Sequence, residues 1–155
     1  MSTIIDMANS ETLDKTTLED DKNKIITSTD ECRMCRAHTT PRLMLKGELG
    51  FAAWDKSPVN KGHFLVIPYR HFSDYFDIRE DEMVELWSLV SQGKKIVEEK
   101  YQPDGYNLGI NVGKWAGQSI FHLHIHIIPR YKGDVENPKG GVRGVIPEKQ
   151  AYGYK

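Results

Sequence analysis

Between Ser119 and Ile128 apolar and polar positions alternate, with Phe121, Leu123, Ile125 and Ile127 on one parity and His122, His124 and His126 on the other. A period of two over this length predicts a half-buried β-strand, its apolar side on a core and its three imidazoles in a row on the opposite face. Pro129 lacks a ladder donor and should end it. The same patterning predicts strands over Arg42–Lys46 and Glu48–Asp55, joined as a hairpin at Gly47, and a short apolar strand His63–Ile67 stopped by Pro68. Asp77-x-x-Glu80 reads as a capping box opening a helix. Met83, Leu86, Trp87, Val90, Val97 and Tyr101 follow at helical spacing, so one face is apolar to about residue 101. Gly93 should weaken its middle by up to ~1 kcal/mol. Pro103-Asp-Gly105 is a turn, Tyr106–Val112 a strand beside the histidine strand, and Gly113–Gly117 the loop between them. After Arg130 the chain is dense in Gly and Pro, which predicts an ordered loop near the histidines rather than a helix.

The 155 residues suit one domain, with a polar, flexible N-terminal extension over 1–28, a domain over 29–147 and a C-terminal tail over 148–155. A net charge of −1 offers no basic face for nucleic acid or an anionic membrane. No apolar run approaches the ~20 residues that span a bilayer. The N-terminus has no basic stretch leading into an apolar one, and there are only two cysteines, so a reducing cytoplasm is the expected compartment.

Neighbouring histidines of a regular strand stand roughly 6.6 Å apart and the outer pair roughly 13 Å, whereas zinc–nitrogen bonds are about 2.0–2.1 Å. Three imidazoles of one strand therefore cannot share a metal, and different histidines should have different tasks. Gly117 permits close backbone approach, and Gln118 and Ser119 offer hydrogen bonds, a set suited to a small anionic group. Cys32-Arg-Met-Cys35 reads as a zinc half-site, a redox pair or two unrelated thiols. His63 begins a buried strand and reads as structural, with a lesser claim to lining the end that would take the anion. His38 receives no role, and Arg143 reads as a surface arginine able to reach a phosphate.

Gly-Gln-Ser followed by His-Leu-His-Ile-His-Ile-Ile, with Gly-His-Phe-Leu-Val-Ile-Pro-x-x-His over 62–71, resembles the signature of the histidine triad (HIT) family of nucleotide hydrolases and transferases. The resemblance covers roughly residues 30–147. It implies an α+β fold, an antiparallel sheet of about five strands with one long helix, paired as a twofold homodimer. It implies that His124 is the nucleophile of a covalent nucleotidyl-histidine that water cleaves, and that His126 donates hydrogen bonds to phosphate and leaving group. Ser119, Gln118 and the backbone around Gly117 would hold the phosphate, with Asn111 near the scissile bond and Asp55 on the ribose hydroxyls. Lys56 follows Asp55 where the family usually has a hydrophobic residue, and joins the nucleotide-binding set with the base pocket left open. In zinc-containing, bacterial-type members the equivalents of Cys32, Cys35, His71 and His122 hold a structural zinc, so no catalytic metal is implied.

The expected function is hydrolysis at the α-phosphate of an adenosine-type dinucleoside polyphosphate or nucleoside phosphoramidate. Three alternatives compete with it: a transferase or phosphorylase passing the nucleotidyl group to another acceptor, a zinc hydrolase with an open metal position, and a nucleotide-sensing module. The intact His126 favours hydrolysis over transfer to sugar phosphates. No Gly-rich helix start signals a P-loop.

Overall fold

Alternating apolar runs pair in the computed structural model, which describes residues 31–152, into one antiparallel sheet of five strands. The extension expected over 1–28 lies outside the described residues. The strands are β1 (Leu43–Lys46), β2 (Gly50–Trp54), β3 (Phe64–Pro68), β4 (Gly105–Gly109) and β5 (Ile125–Arg130), in the order β1-β2-β3-β5-β4. One helix, α1 (Glu80–Tyr101), crosses between β3 and β4 in sequence. The hairpin expected at Gly47 is present, closed by Gly47 N–H donating to the Gly50 carbonyl at 2.8 Å.

Period-two alternation gives the sheet two apolar faces. Ala52, Phe64, Val66, Ile125 and Ile127 pack beneath Leu86, Leu89, Val90 and Val97 of α1. Phe51, Ala53, Leu65 and Ile67 point the other way and are covered by Cys32, Met34 and Ala37. The central strands β2 and β3 are thus buried on both sides, and the turn carrying both cysteines serves as the lid of the second layer.

The helix departs from its sequence pattern in two ways. Its N-cap is Arg79, not Asp77, which lies in a 3-10 turn over Tyr75–Asp77. The buried Glu82 accepts the Arg79 backbone N–H at 3.0 Å and takes Arg70 as a fork, Nε and Nη2 each at 2.7 Å. Arg70 lies just beyond β3, so this charge-assisted pair sets the helix start against the sheet. The buried face also runs through Leu89 and Gly93, while Met83 and Trp87 sit at its exposed margin. A Cβ on Gly93 would lie 2.5 Å from the Phe64 ring, so the glycine that weakens the helix is what lets it approach β3.

The expected histidine strand is shorter than its alternation. Ladder pairing begins at Ile125, and residues 122–125 are all buried. The cause is tertiary: Leu123 N–H donates at 2.6 Å to the Phe72 carbonyl, so the chain there runs against the loop after β3 rather than along the sheet. Phe121, expected inside, is 46% exposed. Likewise β4 ends at Gly109 rather than Val112, and 3-10 turns occupy Lys114–Ala116, Gly141–Val145 and Pro147–Lys149. Arg143 donates to the carbonyls of Lys149 and Gln150. No helix among the described residues is long and apolar enough to cross a membrane.

Gly93→Ala should lower the unfolding free energy by about 1–3 kcal/mol through overpacking, despite the ~1 kcal/mol that alanine normally adds to a helix. Chemical denaturation of both proteins measures the sign, and equal or greater stability would mean that Phe64 yields freely.

Candidate active site

The register decides which side chains meet. His126 lies opposite Leu65 on β3 and Gly109 on β4, so it stands on the face away from α1. That face opens into a cavity of about 920 Å³ lined by His63, His124 and His126 together with Asp55, Ser119 and Asn111. Lys56 lines it as well, as do Gly141, Val142, Gly144 and Val145, which places the segment after Arg130 beside the histidines as expected.

Hydrogen bonds determine what each imidazole presents. A backbone carbonyl can only accept, so His124 Nδ1–H donates to the His122 carbonyl at 2.7 Å, and the lone pair of the ring is on Nε2. His126 is oriented by a longer chain. Val59 N–H donates to His63 Nδ1 at 3.1 Å, which places the single proton of neutral His63 on Nε2. His63 Nε2–H then faces His126 Nδ1 at 3.1 Å, so the proton of His126 is on Nε2. The two rings, with centroids 4.9 Å apart, therefore offer the cavity a lone pair from one and an N–H from the other. Burial lowers the pKa of His63, and burial with His124 and His63 nearby lowers that of His126 to about 4, so both are neutral at pH 7. A ring lone pair beside a neutral N–H donor is an arrangement able to attack an anionic phosphorus centre.

Asp55, His63 and His126 also have ligand atoms close enough to share a cation. The protonation pattern opposes it, because His63 Nε2 is the atom that would ligate and it carries the proton. Asp55 itself accepts Ser57 N–H at 2.6 Å and lies 3.8 Å from His63 Nε2. His63 is thus the site residue whose importance sequence reasoning understated. Its contact with His126 joins positions 63 residues apart, and only its place next to a strand start hinted at it.

The first histidine of the row points elsewhere. His122 is fully buried, its Nε2–H donating to the Pro68 carbonyl at 2.9 Å, which leaves Nδ1 as a ligand. Around Nδ1 gather Cys35 Sγ at 3.3 Å and Cys32 Sγ at 3.6 Å, with His71 Nδ1 3.2 Å from Cys35 Sγ. Tetrahedral zinc, with bonds of about 2.3 Å to sulfur and 2.0–2.1 Å to nitrogen, separates sulfur from nitrogen by about 3.5 Å. The four side chains, each offering one atom within 4.8 Å of the others, can therefore hold a metal ion. The His122–Pro68 bond supplies the outer support such a ligand needs. Without a cation, burial and Cys32 push the Cys35 thiol up to about 11, and burial lowers His122 to about 4; a metal favours the thiolate and the neutral imidazole that ligation needs.

Two residues expected at the phosphate also have structural features of their own. The Gln118 side chain accepts Gly113 N–H at 2.8 Å and donates to the Ser73 carbonyl at 2.9 Å, bracing the loop from inside. Gly117 has φ 86°, a left-handed conformation that favours glycine, with open space where a Cβ would stand. Asn111 lies beyond the end of β4 yet reaches the cavity. His38, given no role, packs edge-on against Phe51 and Tyr69.

A family model described as the HIT domain matches residues 36–133. The chain is 38% identical over 108 residues to the bis(5'-adenosyl)-triphosphatase of Dictyostelium discoideum, covering 70% of this chain and 72% of that protein. It is 36% identical over 93 residues to the AP-4-A phosphorylase of Mycobacterium tuberculosis, 59% of this chain, and spans about half (48%) of that longer protein. Among solved structures, a zinc-bound histidine triad family protein from Mycobacterium smegmatis aligns with a TM-score of 0.63 and 29% identity, over 71% of this chain and 82% of that one.

An unfolded histidine titrates near ~6.5, whereas folded His126 does so at about 4. Its contribution to stability is complete above pH ~6.5 and is lost as the pH falls through about 4, because the unfolded chain binds the proton first. His126→Asn should give a shallower fall in unfolding free energy between those limits than the parent chain. Parallel pH profiles would mean that His126 is not held neutral.

Proposed function

The chain belongs to the HIT domain family, and from that premise we propose that it is a nucleotide hydrolase acting on the α-phosphate of adenosine-type dinucleoside polyphosphates through a covalent nucleotidyl-His124. The observation that carries this is a pair of hydrogen bonds, His124 Nδ1 to the His122 carbonyl and His63 Nε2 to His126 Nδ1, which together direct a bare Nε2 of His124 and an N–H of His126 at the cavity. His124 Nε2 attacks phosphorus, the nitrogen–phosphorus bond forming as the bond to the leaving oxygen breaks. The ring becomes an imidazolium whose charge is stabilised by Nδ1–H on the His122 carbonyl. Water then attacks phosphorus, the bonding pair returns to Nε2, and the proton of the water passes to solvent. His126 N–H, with Ser119 at the cavity wall, stabilises charge on the phosphate oxygens through both steps. Asp55 accepts the ribose hydroxyls, and Asn111 lies beside the scissile bond.

The depressed pKa of His126 bears on the leaving group. A neutral imidazole is a hydrogen-bond donor but a poor acid. A nucleotide leaves as a phosphate whose second pKa is about 6 and needs no proton at pH 7, whereas a phosphoramidate nitrogen must be protonated to depart. The Dictyostelium relative, named a bis(5'-adenosyl)-triphosphatase, supports the same choice. Cys32, Cys35, His71 and His122 would hold a structural zinc with no open position, an assignment supported by the sulfur–nitrogen distances and the zinc-bound relative. Such an ion supplies folding energy and joins the cysteine turn to the catalytic segment, leaving the reaction to the other histidines.

A second reading passes the same intermediate to inorganic phosphate, favoured by the mycobacterial relative named AP-4-A phosphorylase. Products formed from diadenosine polyphosphate with and without added phosphate separate the two readings. His124→Ala should lower turnover by several orders of magnitude. In the parent chain quenched with base, an adenylyl group should be found by mass on the peptide carrying residue 124; an unlabelled peptide during turnover excludes the covalent route. Cys32→Ser should lose bound zinc and lower the melting temperature, and full zinc content in that variant would refute the metal assignment.

A further inference from the structure

The amide that orients His63 sits on an exposed loop. Two neutral imidazoles that share one hydrogen bond can run it in either direction. With the proton on His63 Nε2, His126 shows an N–H to the cavity; with the order reversed, His126 shows a lone pair. Val59 N–H selects the first arrangement by donating to His63 Nδ1 at 3.1 Å. Asp55 favours the same arrangement from 3.8 Å, beyond hydrogen-bond reach of His63 Nε2. Yet Lys56, Ser57 and Pro58 are exposed and Val59 itself is 70% exposed, so packing does not fix the amide.

The residues that follow Val59 are held from another part of the chain. Asn60 Nδ2 donates to Asp134 Oδ2 at 2.8 Å, and Tyr131 Oη donates to the Lys61 carbonyl at 2.9 Å. Asp134 is anchored in turn. It takes Arg130 Nε and Nη2 at 2.7 Å each and the Tyr131 N–H at 3.0 Å. Its side chain is only 15% exposed, so this charge-assisted fork works largely out of water. The remaining Arg130 nitrogen, Nη1, donates to Asn107 Oδ1 on β4 at 2.5 Å, which ties the fork to the sheet. The Asn60 carbonyl accepts His63 N–H at 3.1 Å. The residue gripped by Asp134 is therefore both the neighbour of Val59 and the start of the turn that delivers His63.

We infer that Asn60 and Asp134 are positioning residues: the segment after β5 clamps the loop between β2 and β3 so that Val59 N–H keeps the proton of His126 on Nε2. Neither side chain lines the cavity, so both act through His63. The inference rests on the reading of His126 as the neutral donor to phosphate, and it gives the Arg130–Asp134 ion pair a task in the reaction.

The imidazole nitrogen–proton correlation spectrum of the isotope-labelled full chain at pH 7 reads each tautomer directly and needs no substrate. In the parent chain His63 and His126 should both carry the proton on Nε2. Asn60→Ala removes the clamp and leaves the Arg130–Asp134 fork in place; Asp134→Ala removes both. Each should raise the ratio of Nδ1–H to Nε2–H on His126 about fivefold, the scale of one ordinary hydrogen bond. With diadenosine polyphosphate as substrate, kcat should follow the remaining Nε2–H fraction while KM stays nearly constant. Asp104→Ala, which frees Lys132 N–H on the same segment but spares the Asn60 contact, should leave the tautomers as in the parent. If Asp134→Ala does not fold, Asn60→Ala alone decides. Unchanged tautomers in Asn60→Ala, or an equal shift in Asp104→Ala, would overturn the clamp while leaving the nucleotide reading intact. A shifted tautomer with a kcat that does not follow it would keep the clamp and overturn the role given to His126.

Discussion

The hydrogen bond from His124 Nδ1 to the carbonyl of His122, 2.7 Å long, is the contact on which the proposed chemistry turns. It is local in sequence, spanning two residues, yet it forms only because the backbone there is not in a ladder. In a regular strand the carbonyl of residue 122 would point into the sheet. Here the chain is drawn off by Leu123 N–H bonding to Phe72, and the freed carbonyl becomes the acceptor that fixes the imidazole. The departure from the strand pattern and the orientation of the proposed nucleophile have the same cause.

His122 connects this contact to the metal cluster. Its side chain faces Cys32, Cys35 and His71 while its carbonyl faces His124. An ion in that cluster would therefore position the backbone atom that orients the reactive ring, although four protein ligands leave it nothing to offer a substrate. The same turn of chain covers the second face of β2 and β3 and presents Arg33 to the cavity. Core packing, the proposed metal ligands and the pocket wall converge on residues 32–35, where a change made for one would disturb the others.

His126 depends on a longer support. Val59 N–H, His63 and His126 form a line in which each proton position follows from the previous one, starting at a backbone amide that can only donate. This chain makes His126 a donor at neutral pH without an acid and turns the neighbouring Asp55–His63–His126 cluster away from metal binding. Burial keeps the two rings neutral, and neutrality is what gives the line its direction.

Much of this was legible in the sequence for a physical reason. Alternation at period two and recurrence at helical spacing follow from backbone geometry that every residue shares, so five strands and one helix could be read along the chain, though not the order of the strands in the sheet. Separate tasks for the histidines followed from bond lengths against strand rise. The resemblance supplied the ligand set, which the structure gathers around one point. What the sequence alone did not decide was whatever depends on contact between distant segments. It could not place Gly93 against Phe64, cap the helix with Glu82 tied to Arg70, or end the histidine strand at Ile125. Nor could it assign Gln118 to bracing a loop or His63 to orienting His126. Local pattern records which face a residue prefers; the partner it meets there is set by register and packing, which appear only when the chain has folded.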